Sequence, residues 1–123
     1  MENKIFKIWT SGCAHVFADK KMGRDSLGQA IDDSEKFFEW DIGINIGDFS
    51  SAIGLPSDDE GQEVVRQFKS LTKHNREDIY TICGNHDRNS PIEPEGLWFR
   101  KWIDPFGENT KLTKINAQLR PNA

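Results

Sequence analysis

Three short clusters in this 123-residue chain carry side chains able to hold metal ions or move protons: Cys13-Ala14-His15, Gly47-Asp48 and Gly84-Asn85-His86-Asp87. Imidazole nitrogens and the oxygens of Asp and Asn are donors that hard and borderline divalent cations accept, so His15, Asp48 and Asn85 suit two such ions. Gly47 and Gly84 let the backbone turn sharply beside them. Two cations about 3.5 to 4 Å apart clamp phosphate oxygens and activate a water between them. An imidazole, with an ordinary pKa of roughly 6.5, can donate a proton at neutral pH.

Such residues act together only if the fold brings them together. Apolar strand formers run from Lys4 to Thr10 and stop at Ser11-Gly12, which predicts a buried strand ahead of the first cluster. A loop to about Arg24 follows. Leu27, Ala30, Ile31, Phe37 and Phe38 then recur at helical spacing, with Asp25 or Ser26 as the cap. The run Asp41 to Ile46 alternates isoleucines with small or polar residues and ends at Gly47-Asp48, a second strand. Val64, Val65, Phe68 and Leu71 predict a helix capped by Asp58 or Asp59 and ending near His74-Asn75. Asp78 to Cys83 reads as a third strand, halting at Gly84, and Glu95 to Ile103 as a short helix ended by Pro105 and Gly107. The order βαβαβ predicts an α/β domain with a parallel core, and in open sheets ligands bind beyond the carboxyl ends of the strands. All three clusters lie there.

Composition narrows the partners. Sixteen basic and twenty acidic residues give a net charge of -4, which disfavours a dedicated nucleic-acid binder and leaves nucleic acid only as a substrate. The first residues lack a signal peptide's apolar stretch, and no apolar run approaches the ~20 residues of a membrane span. Two scattered cysteines fit a reducing compartment, so a cytoplasmic protein without an internal disulfide is expected.

From Ile5 to Asp87, with Gly47-Asp48 and Gly84-Asn85-His86-Asp87 each directly after a predicted strand, the chain resembles the calcineurin-like metallophosphoesterase superfamily. The resemblance implies an α/β sandwich and hydrolysis of a phosphate mono- or diester by a metal-activated hydroxide. It implies two divalent ions (Mn, Fe, Zn or Ni), with His15 on the first, Asp48 bridging both and Asn85 on the second. His86 would contact the phosphate or protonate the leaving oxygen, and Asp87 would orient its ring.

Two departures from the family pattern qualify this. Its first motif is Asp-x-His, whereas Cys13 stands two before His15, either as a softer ligand or as a small apolar residue. Its downstream Gly-His-x-His motif is absent, and His74, the remaining histidine, reads as a helix-end residue bound to the last carbonyls. The chain therefore reads as a single domain over 1–123 with a motif-bearing core about 4–88, the N-terminal part of a longer enzyme or an incomplete reading frame. A missing half or self-association would complete the site. The alternative is a non-catalytic fragment or degenerate relative that acts only by binding. Lys20, Lys21 and Arg24 could meet an anionic substrate or simply be solvated, and Trp98, Phe99, Trp102 and Phe106 could line a cleft or fill the core.

Overall fold

The computed structural model describes residues 5–88 and 96–105. Its centre is a three-stranded parallel sheet, β1 (Ile8–Ser11), β2 (Ile42–Asn45) and β3 (Ile79–Thr81), in that spatial order. The register aligns Trp9, Gly43 and Ile79 in one row and Ser11, Asn45 and Thr81 in the next. Because side chains alternate across a strand, these two rows share one face. The helices pack on that face: α1 (Val16–Lys21), α2 (Ser26–Phe37), α3 (Asp58–Phe68) and α4 (Leu97–Trp102). Val16, Leu27, Ile31, Trp40, Phe49, Val64, Phe68, Ile79, Trp98, Phe99 and Ile103 form one buried core there. Trp98 and Phe99 are thus core residues, while Phe106, Gly107 and the tail lie outside the described residues. Among the described residues no helix is long and apolar enough to cross a membrane.

Several expectations are corrected. The first strand is shorter than expected and lies at a sheet edge, so Ile5, Phe6 and Ile8 are exposed where burial was expected. The loop after His15 contains α1. In α2 the buried stripe runs Leu27, Gly28, Ile31, Ser34 and Glu35, whereas Ala30 faces solvent and Phe37 is 83% exposed. Two polar residues are buried because they are satisfied. The Ser34 hydroxyl donates to Ile31 O and accepts the Trp40 indole N–H, and Glu35 accepts the amides of Thr72 and Lys73 at 2.8 Å each. His74 completes this knot, stacked on Trp40 with ring centroids 3.4 Å apart and its nitrogens on Glu35 and the Trp40 carbonyl. It is a structural residue, held by these groups where helix-end carbonyls were expected.

The caps differ too. Asp25 does stand at the N-cap of α2, as expected, but its side chain pairs with Arg66 and makes no capping bond, and the Ser26 amide donates to Asp19. Ser57, rather than Asp58 or Asp59, caps α3, accepting the Glu60 amide at 3.1 Å. That helix stops at Phe68, before the expected end, and Val65 lies on its exposed side.

One charged cluster ties the helices together. The Glu63 carboxylate, 7% exposed, receives Arg66 in a fork and Lys20 from α1, and Arg66 reaches on to Asp25. The Arg66 guanidinium pulls the Glu63 carboxyl down to about 2 against the cost of burial, helped by Lys20 and Gln67. A carboxyl held below its unfolded value of 4.5 stabilises the fold above that pH and loses the contribution as pH falls toward 2. With both basic partners half exposed, we expect about 2 kcal/mol to disappear over that window. Urea titrations at stepped pH should show this loss in the wild type and a flatter profile in Glu63→Gln.

Candidate metal centre

The loops that leave the carboxyl ends of the strands continue the sheet's hydrogen bonding. The amides of Cys13, His15 and Val16 donate to the carbonyls of Gly47, Asp48 and Phe49 at 2.9, 3.1 and 2.8 Å. Asn45, 1% exposed, fixes the root of this pairing by donating to Ser11 Oγ and accepting the Gly47 amide. Gly47, at φ +96, faces the third loop so closely that a Cβ would lie 2.5 Å from Ile82 O and 2.6 Å from Gly84 N. Both clashing groups are backbone, so no rotamer change relieves them. Gly47→Ala should therefore cost about 3 kcal/mol, read as a lowered urea midpoint. Gly84 is equally constrained, for a Cβ there would fall on the Asp48 carboxylate and amide.

Asp87 locks the loops together. Its carboxylate, fully buried, accepts the amides of Asp48 (2.8 Å) and Gly84 (2.9 Å) on one oxygen and Ser50 (2.9 Å) on the other. Burial pushes its carboxyl above the usual value, resisted by these three amides, while the nearby Asp48 charge adds to the rise. The expected role in orienting His86 is corrected: Asp87 is committed to the backbone, and His86 Nδ1 instead lies 2.7 Å from the Ala52 carbonyl.

His15 is held the same way, with Nδ1 3.1 Å from the Ser50 carbonyl. A carbonyl only accepts, so each Nδ1 donates its proton there and Nε2 is the other ring position of each imidazole. The two rings meet edge to face with centroids 5.1 Å apart. The segment that supplies both carbonyls is itself clamped by Glu60, 2% exposed, which accepts Ser50 Oγ, the Ser51 amide and Ser51 Oγ. The Ser57-x-x-Glu60 pattern predicts a capping box, in which the glutamate reaches back to the cap residue's amide. Here its side chain is turned to the site instead, a use that no local pattern in the sequence signals.

Donor atoms of Cys13, His15 and Asp48 all lie within 4.8 Å of one another, close enough to serve one cation after small side-chain rotations. These three are also the non-glycine residues with positive φ among the described residues, at 55, 45 and 57°. That backbone region costs about 1–2 kcal/mol for an L-residue, less for Asp and His, and such strain concentrates where function over-determines geometry. The set of sulfur, nitrogen and carboxylate oxygen fits a divalent cation of borderline softness.

Asp48 also accepts the His86 amide at 3.1 Å. Asn85 sits between Gly84 and His86, both of which touch Asp48, so chain geometry keeps it at the same edge, exposed to solvent. His15, Asp48 and His86 thus lie together at this edge with Cys13, and Asn85 stands next to His86 along the chain. Among the described residues one group of metal-capable side chains is formed, and no second cation position is defined. His74 stays in the Trp40 knot and Lys20 on Glu63. No family model, curated protein or solved structure matches the chain.

Proposed function

We propose that this protein is a metal-dependent phosphoesterase whose site is formed by the three strand-end loops. The observation that carries this is the meeting of His15, Asp48 and His86 at one carboxyl-terminal sheet edge, with Cys13, His15 and Asp48 all held in the left-handed backbone region. His15 and Asp48 would hold one divalent ion. Asn85, beside them and open to solvent, would hold the second. Bound ions of this kind supply Lewis acidity toward a phosphoryl oxygen and activate water. The chain's own part is positional and acid–base. The Ser50 and Ala52 carbonyls fix the two imidazoles with Nε2 free, and His86 can then carry a proton at Nε2 to a departing ester oxygen while Nδ1–H stays on Ala52.

The parallel three-stranded sheet is one half of a metallophosphoesterase-type sandwich on this reading. Ile8, Ile46 and Ile82 stand exposed on or beside the face away from the helices, where a second sheet or a second copy would pack. Cys13 and Cys83 both stay as thiols rather than a disulfide, which suits a reducing, cytoplasmic setting.

A second reading, binding without turnover, is favoured by a specific observation. Of the three histidines in the sequence, His74 is locked by Glu35 and Trp40, leaving two at the site. Ions that want four to six donors would keep mostly water. The two readings separate on hydrolysis of bis(4-nitrophenyl) phosphate and 4-nitrophenyl phosphate with added Mn or Zn. The phosphoesterase reading expects slow turnover above the rate of the free ions, removed by a chelator. A rate equal to that of the ions alone overturns it in favour of binding only.

A further inference from the structure

We propose that the Cys13 sulfur is a metal ligand and makes the Cys13/His15/Asp48 position a zinc site that discriminates against manganese and magnesium. The inference rests on the reading that this sheet edge holds a cation, and it is independent of whether hydrolysis follows. The alternative role for Cys13, a small apolar filler, is at odds with its placement: the side chain is exposed and absent from the buried core. Its sulfur instead shares a volume with His15 and Asp48, all three donor atoms within 4.8 Å. Zinc takes thiolate, imidazole and carboxylate at about 2.0 to 2.3 Å in a tetrahedron, and three protein ligands leave one position for water or substrate.

Charge and protonation agree with that choice. As the sulfur–metal bond forms, the thiol proton leaves to solvent, and thiolate with the Asp48 carboxylate then balances a divalent ion. His15 would bind through Nε2, since its Nδ1–H is held on the Ser50 carbonyl. Magnesium and manganese favour oxygen donors and gain little from sulfur.

The test is titration of the full chain with Co(II), a coloured stand-in for zinc. One equivalent should produce a sulfur-to-cobalt charge-transfer band in the near ultraviolet, and zinc should displace it. Cys83→Ser should keep the band. Cys13→Ser should lose it and weaken zinc by at least about tenfold, and Cys13→Asp should gain manganese affinity relative to zinc. Cys13→Gly, which relieves the positive φ, provides a second variant that folds without the sulfur. One bound Co(II) with no such band, or zinc bound equally well by Cys13→Ser, overturns the inference and leaves the cation reading standing if Asp48→Asn still abolishes binding. No binding of any of these ions overturns both.

Discussion

Asp48→Asn is expected to reduce metal-dependent phosphodiester hydrolysis by on the order of a thousandfold, about 4 kcal/mol of barrier, with the fold intact. The variant isolates charge from shape. Asn tolerates the left-handed backbone that Asp48 adopts at φ 57°, and its side-chain oxygen can still accept the His86 amide. What it loses is the anionic oxygen that lies within 4.8 Å of the Cys13 and His15 donor atoms. Steady-state rates with Mn and Zn, together with an unfolding free energy unchanged within about 0.5 kcal/mol, would bear this out. A large fall in the midpoint would place the role of Asp48 in the fold rather than in the chemistry.

Asp87→Ala should do the opposite and damage the fold first, by about 4 kcal/mol. The substitution leaves the amides of Asp48, Ser50 and Gly84 without their acceptor in a buried site, and each unsatisfied buried donor costs about 1–3 kcal/mol. Water entering the vacated volume recovers part of that sum. Asp87→Asn, which keeps one acceptor oxygen, should cost about half as much. Chemical denaturation of the two variants checks the order, and equal stability of wild type and Asp87→Ala would refute the locking role.

The contrast between these residues shows what the sequence made legible. Gly47-Asp48 and Gly84-Asn85-His86-Asp87 could be placed because each begins within three residues of the end of a strand with clear apolar patterning, and parallel topology then forces their convergence. The determinants of ring orientation could not. The carbonyls of Ser50 and Ala52 are backbone groups present at every residue, and Glu60 acts across ten positions by a turn its local pattern does not specify. Helix α1 escaped notice because its six residues bury Val16 alone, too few for a periodic signal. Phe37 and Phe38 misled for the converse reason: apolar type suggested a buried stripe, but Ser34 and Glu35 occupy it with their hydrogen bonds met. His74 shows the same limit, since its stacking on Trp40 depends on tertiary contact across 34 residues.

Crystals equilibrated with zinc or manganese would reveal whether the three strand-end loops hold a cation between Asp48 and His15. An anomalous-scattering peak is expected within about 2.3 Å of a His15 ring nitrogen and an Asp48 carboxylate oxygen. Saturating metal with no peak there, or with density only at unrelated surface carboxylates, would contradict it.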